Sequence, residues 1–147
     1  MELVKTKLDG VYIVEPKVYG DNRGWFMETY SEKAFKDAGI DVTFVQDNHS
    51  YSAQKGVLRG LHFQLNPMSQ AKLLRVLRGT LLDVVVDIRI GSPTYGQWIS
   101  VELSADNKKE IYMPRGMAHG FVTLTDDVEV HYKVDNLYAK IRKWHYL

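Results

Sequence analysis

From residue 42 to residue 134 the chain is almost entirely a succession of short β-branched, aromatic and aliphatic runs, broken at close intervals by glycine- and proline-bearing turns. Strands folded back on one another in a sandwich or barrel follow from that punctuation. The runs predict strands over residues 42–46, 57–64, 72–77, 80–88, 98–103, 110–113, 119–124 and 128–134, with turns at Arg78-Gly79, Gly91-Ser92-Pro93 and Arg115-Gly116. Along 80–88, Leu82, Val84, Val86 and Ile88 share one face, and Leu81, Asp83, Val85 and Asp87 the other; the all-aliphatic face reads as core and the other as mixed.

The N-terminal part fits the same scheme. Residues 11–14 form a short strand run closed by Pro16, the polar turn Gly20-Asp21-Asn22-Arg23-Gly24 follows, and residues 25–30 resume an extended pattern that puts Phe26, Glu28 and Tyr30 on one face. Ser31 can cap a short helix running to Ala38, with Gly39 as its stop. The expected fold is thus all-β with one short helix, and 147 residues at 45% hydrophobic content suit a single domain, 1–147. There is no internal repeat and no linker-like tract.

Charge and cysteine usage exclude several functions. Nineteen Lys and Arg against 18 Asp and Glu leave a formal charge of +1, which provides no general field for nucleic acid or an anionic membrane. An anionic ligand must therefore be held by a few placed cations. The chain has no cysteine, so disulfides and thiolate zinc sites are excluded. No apolar run has signal-peptide or membrane-spanning length, and a cytoplasmic location is the expectation.

Chemistry concentrates in the stretch 44–64, which gathers Gln46, Asp47, Asn48, Arg59 and His62 between strand-like flanks. Such groups are costly to bury without partners, so their convergence on a β scaffold implies a polar pocket centred on His62. In an unbroken strand Arg59 and His62 would point to opposite faces; a bulge at Gly60, or a residue from a partner subunit, would bring both to one site. Proton transfer beside a carbonyl needs a base, a cation for the enolate oxygen and an acid, and His62, Lys72 and Tyr132 can fill these roles. The alternatives are a satisfied structural histidine, a lysine reaching solvent and a core tyrosine; spacing alone does not separate them. Asp83 could orient a site histidine or form a structural ion pair, and His49, His131 and His145 read as surface or packing residues.

Two segments carry a cupin-like pattern. Pro114-Arg115-Gly116-Met117-Ala118-His119 has the Pro-x-Gly-x-x-His spacing, whereas His62-Phe63-Gln64 lacks the second histidine and nearby glutamate of a metal cupin. Two histidines without a third ligand are a poor zinc or iron site, so neither metal nor other cofactor is expected. Arg23-Gly24-Trp25-Phe26-Met27-Glu28, Gln46-Asp47-Asn48-His49-Ser50, Val57-Leu58-Arg59-Gly60-Leu61-His62-Phe63-Gln64, Ser92-Pro93-Thr94-Tyr95-Gly96-Gln97-Trp98, the Pro114 to Phe121 segment and Tyr132-Lys133 follow in order at intervals that resemble the dTDP-4-dehydrorhamnose 3,5-epimerase family, from about the chain's start to Tyr138.

The resemblance implies a cupin-type double-stranded β-helix, or jelly-roll barrel, usually homodimeric, acting without a metal on dTDP-4-keto-6-deoxyglucose. By it, His62 is the base, Tyr132 the proton donor and Lys72 a nucleotide-sugar contact. Arg23, Glu28, Gln46, Asp47, Asn48, Arg59 and His119 fall on nucleotide-sugar contacts, and Tyr138 on the aromatic that stacks on thymine. The family continues some tens of residues past the position of Leu147, with Gly-Ile-x-Trp and an Asp that pairs with the base. Here Lys143 stands where a substrate-contacting Glu is expected, and no position matches the Asp. An imidazole without its carboxylate loses tautomer control. Asp83 or a partner residue would have to replace it; the rival readings are a single-centre epimerase or ketoisomerase, a weak dTDP-sugar binder and a metal-dependent cupin.

Overall fold

The computed structural model describes residues 1–139 and the backbone of 143–145. Its strands are β1 (Glu2–Lys5), β2 (Tyr12–Glu15), β3 (Val18–Asp21), β4 (Gly24–Met27), β5 (Gln46–Ser52), β6 (Leu58–Gln64), β7 (Lys72–Arg78), β8 (Thr80–Asp87), β9 (Trp98–Ser104), β10 (Glu110–Met113), β11 (Met117–Thr123), β12 (Val128–Val134) and β13 (Lys143–His145). One helix, α1 (Glu32–Asp37), interrupts them. A six-stranded sheet runs β1-β2-β10-β7-β12-β5, a five-stranded sheet runs β13-β6-β11-β8-β9, and β3 and β4 form a separate hairpin. The pairings are antiparallel throughout, giving the cupin-type jelly roll.

The inner faces of the two sheets enclose the main core, in which Leu74, Leu81, Val85, Leu103, Ile111, Phe121 and Val128 are buried. A second core lies around Phe35, Val14, Leu73, Tyr112, Ile40 and Val42. Helix α1 begins as expected: the Ser31 hydroxyl accepts a hydrogen bond from the Ala34 amide at 3.2 Å, and Gly39 ends the turn at φ +82°. Its Phe35 ring meets Tyr112 edge-on at 5.6 Å and Tyr30 at 5.0 Å, anchoring the helix by its apolar side.

Four local expectations change. On β8 the mixed face is the buried one: Leu81, Asp83, Val85 and Asp87 are each 0% exposed, while Leu82, Val84 and Val86 are only half-buried and belong to neither core. Residues 42–45 are not a strand; Val42 and Phe44 pack into the second core, and the ladder begins at Gln46, where β12 supplies partners to the polar Gln46–Ser52 segment. Pairing here overrides strand propensity. The extended run of 25–30 stops at Met27, so Phe26 is exposed while Tyr30 packs on Phe35 and Phe44. Strands β1, β3 and β13 have no counterpart among the expected elements; Gly20 and Asp21, expected in the turn, end β3 instead, paired with Trp25 and Gly24.

Candidate active site

The residues that converge do so through strand alternation. On β5 the inward positions carry Asn48 and Ser50, on β7 Lys72 and Leu74, and on β12 Tyr132. With Arg59, Gly60, His62, His119 and Phe121 from β6 and β11 they wall a cavity of about 310 Å³, at the lower end of the roughly 300–1,000 Å³ range of small-molecule sites. A second hollow shares His62, Lys72 and Tyr132 and extends to Gln70 and Tyr138.

Arg59 and His62 reach the same cavity because β6 bulges. His62 stands opposite His119, but Arg59 stands opposite Phe121, so β6 spends three residues where β11 spends two. Gly60 absorbs the kink at φ +96°, and a Cβ at this position would lie 2.5 Å from the His119 carbonyl oxygen and 2.8 Å from the Gly120 Cα. Arg59 is held by its Nε donating to the Ser52 hydroxyl at 3.0 Å and its Nη2 donating to the Tyr51 carbonyl at 3.0 Å.

Lys72 is 7% exposed and stands with its Nζ 5.9 Å from the Tyr132 ring centroid. A cation held this deep beside a cavity favours a ligand oxygen that carries negative charge. Burial pushes the Tyr132 phenol up, against a hydrogen bond with Asn48 and the nearby Arg59 charge, so Tyr132 keeps its proton at neutral pH and can give it away. The His62 and His119 rings meet edge to face at 5.9 Å. Asp83 orients His119 rather than His62: His119 Nε2 and Asp83 Oδ2 are 2.7 Å apart, and the two side chains are 3% and 0% exposed.

Tyr138 is brought to the cavity by a set of polar ties. Gln64 donates to the Leu137 carbonyl at 3.2 Å and accepts from the Ala139 amide at 2.8 Å. Gln70 donates to the Asn136 carbonyl at 2.9 Å, and Asn136 donates to that of Pro67 at 2.9 Å. Gln64, Gln70 and Ser50 were not among the expected site residues. Ser50 and Gln64 each stand two positions from a chosen residue, Asn48 and His62, and alternation could have found them; Gln70 lies in a loop and had no such signal.

Other expected residues lie apart from this cavity. Gln46 donates to the Asn48 side chain at 2.8 Å and so supports its orientation. Asp47 points to the other face of β5, 2.9 Å from Lys133 and 3.5 Å from His131. Arg23 lies at the exposed β3–β4 turn, paired with Asp21 at 2.6 Å, and Glu28 follows β4 on the surface. His49 pairs with Glu129 at 3.1 Å on the outer face. The side chains of Lys143 and His145 lie outside the described residues. Among the described residues no three His, Asp or Glu are grouped as metal ligands.

An antiparallel jelly roll whose interior cavity is lined by an imidazole, a buried lysine and a phenol that keeps its proton is a cupin-type barrel with polar groups placed around an oxygen-rich ligand's space. The family model for dTDP-4-dehydrorhamnose 3,5-epimerase matches residues 5–145. The dTDP-4-dehydrorhamnose 3,5-epimerase of Shigella flexneri is 53% identical over 144 residues, 97% of this chain and 79% of that protein. Two solved structures superpose closely. That of the enzyme of the same name from Bacillus anthracis, with TDP and PPi bound, gives a TM-score of 0.96 at 44% identity, covering 99% of this chain and 83% of that one. A Legionella pneumophila dTDP-6-deoxy-D-glucose-3,5-epimerase in complex with dTDP-4-keto-L-rhamnose gives 0.93 at 46% identity, covering 98% and 76%. The chain belongs to the dTDP-4-dehydrorhamnose 3,5-epimerase family.

Proposed function

We propose that this chain is an isomerase that epimerises dTDP-4-keto-6-deoxyglucose at C3 and C5, giving dTDP-4-dehydro-L-rhamnose. The observation that carries the reading is the meeting of His62, Lys72 and Tyr132, from three different strands, at one cavity. The 4-keto group acidifies the hydrogens on both neighbouring carbons, so one base can serve each centre in turn. His62 removes the proton, Lys72 steadies the enolate oxygen, and Tyr132 returns a proton from the opposite face. Arg59, His119 and Asn48 hold the nucleotide sugar, and Tyr138 offers its ring to the base.

The test is proton NMR of dTDP-4-keto-6-deoxyglucose in heavy water with the purified chain, following the C3 and C5 hydrogens separately. Exchange at both centres is expected, falling by about 10²–10⁴ in His62→Ala. Equal, slow exchange by both proteins would sink the reading. Deuterium at one centre alone would make the chain a single-centre epimerase.

The same reading makes the protein a cytoplasmic homodimer. Two surfaces support the dimer. The outer face of the five-stranded sheet presents half-buried Leu82, Val84, Val86 and Val122, with Leu58 59% and Trp98 57% exposed beside them. The β3–β4 hairpin carries exposed Tyr19, Trp25 and Phe26 next to Arg23 and Glu28. Since Arg23 and Glu28 stand away from their own cavity, a partner's cavity is where they would meet substrate. Mixing inactive His62→Ala and Arg23→Ala chains should then restore exchange through hybrid sites. Continued inactivity of a mixture shown to contain hybrids would rule this arrangement out.

A further inference from the structure

Tyr138 owes its place to side chains rather than to the sheet. Strand β12 ends at Val134, and the Asp135 amide makes one more backbone bond, to the Ala71 carbonyl at 3.3 Å. Among the described residues, the hydrogen bonds that follow on 136–139 come from side chains. Tyr138 is 56% exposed, so burial does little to fix the aim of its ring.

Gln64 supplies the ties nearest the ring. It stands two residues after His62 on β6 and is 8% exposed. Its Oε1 accepts from the Ala139 amide at 2.8 Å, and its Nε2 donates to the Leu137 carbonyl at 3.2 Å and to the Met68 carbonyl. One amide thus grips the main chain on both sides of Tyr138 and fastens it to the loop before β7. A buried amide is ordinarily bonded to something, and that alone would be structural. What matters here is the pair of sites gripped. One neighbour of Tyr138 needs an acceptor and the other a donor, and no carboxylate, ammonium or hydrocarbon supplies both. Gln64 and Tyr138 also border the hollow that His62, Lys72 and Tyr132 share.

We infer that Gln64 is a positioning residue for the nucleotide: it brackets Tyr138 with the two ends of one amide and so aims the ring at the hollow where the nucleoside base is held. The inference rests on the reading that the Tyr138 ring receives the base, and it adds the residue that makes the ring a fixed platform. A platform whose backbone is ordered beforehand gives up less of its stacking energy on binding, so the bracket acts on affinity. His62, Lys72 and Tyr132 stand on paired strands that need no such tie, so its loss falls on binding rather than on turnover.

The experiment measures dTDP and inorganic pyrophosphate binding by calorimetry, and C3 and C5 exchange at varied substrate, for wild type, Gln64→Met, Tyr138→Ala and the double variant. Gln64→Met keeps an unbranched side chain of similar length and removes both ends of the bracket. It should raise the dTDP dissociation constant and KM about tenfold, with kcat changed by less than about threefold and pyrophosphate binding by less than about twofold. Tyr138→Ala should weaken dTDP at least as much, and the double variant should be no weaker than Tyr138→Ala. In wild type both Gln64 side-chain amide protons should exchange slowly with solvent; rapid exchange overturns the bracket whether or not a variant folds. Unchanged dTDP affinity in Gln64→Met, losses that multiply in the double variant, an equal loss of pyrophosphate binding, or a loss confined to kcat also overturn it. If Tyr138→Ala bound dTDP as wild type does, the reading that this ring receives the base would fall, and the inference with it.

Discussion

Asp83 and Asp87 stand four residues apart on the same face of β8, each 0% exposed, and they behave in opposite ways. Asp87 is saturated. It accepts from the Arg89 amide, Nε and Nη2, each at 3.0 Å, from the Ser92 hydroxyl at 2.5 Å and from the Thr94 hydroxyl at 2.6 Å. Burial alone would raise its carboxyl, but these donors outweigh it and hold the group well below the usual carboxylate range. Among the described residues Asp83 has one side-chain partner, and that partner borders the cavity. Burial of a carboxylate is thus no mark of function. What distinguishes the two is whether the surrounding chain completes the hydrogen bonding or leaves it for something else.

Replacing each by its amide isostere sharpens the contrast. Asp87→Asn should cost about 3 kcal/mol in chemical denaturation, because Arg89 and two hydroxyls lose their common acceptor. Exchange per folded molecule should survive. Wild type should also lose stability as pH falls below 3.8, where the unfolded chain's aspartate takes up its proton but the folded Asp87 resists; Asp87→Asn should flatten that decline.

A third buried carboxyl, Glu110, tests the rule from the other side. It is 1% exposed, its Oε2 has no partner among the described residues, and burial, opposed by the Arg75 and Lys133 charges, pushes it up to about 8. Below pH 4.5 it is protonated in folded and unfolded chains alike. As pH rises from there to about 8, only the unfolded chain releases the proton, so stability falls, and the loss is complete above that value. Glu110→Gln should remove this slope and stabilise the protein by on the order of 3 kcal/mol above pH 8, measured by urea denaturation across the range. An unchanged pH profile would show that Glu110 ionises freely in the folded state. The smallest stability effect, about 1 kcal/mol, is expected for Asp83→Asn, since the amide can keep one hydrogen bond to His119. A loss as large as that of Asp87→Asn would erase the distinction between the two aspartates.

Much of the fold could be read from the chain because strand periodicity and turn chemistry are local. Strands β10 and β12 lie where the residue pattern put them, and the Ser31 cap and Gly39 stop bound α1 as expected. β8 was read with the right alternation and the wrong orientation. An all-aliphatic face is indistinguishable in sequence from a core face when it is instead an outer sheet surface, and the two aspartates on the inner face are tolerable only because His119 and the 89–94 loop come to meet them. β5 was missed because its polar residues are held by pairing to β12, a long-range fact.

The sequence by itself determined the all-β class, the single short helix, the family, and the chemical types available near His62, since these depend on residue identity and short-range spacing. Only the tertiary structure decided which of those residues meet. The bulge at Gly60 turns Arg59 and His62 to one cavity, β-sheet register sets His62 beside His119, and Asp83 is assigned to His119 rather than to His62. Each of these depends on how strands distant in sequence pair, and strand pairing is fixed by the packing of the whole barrel rather than by any stretch within it.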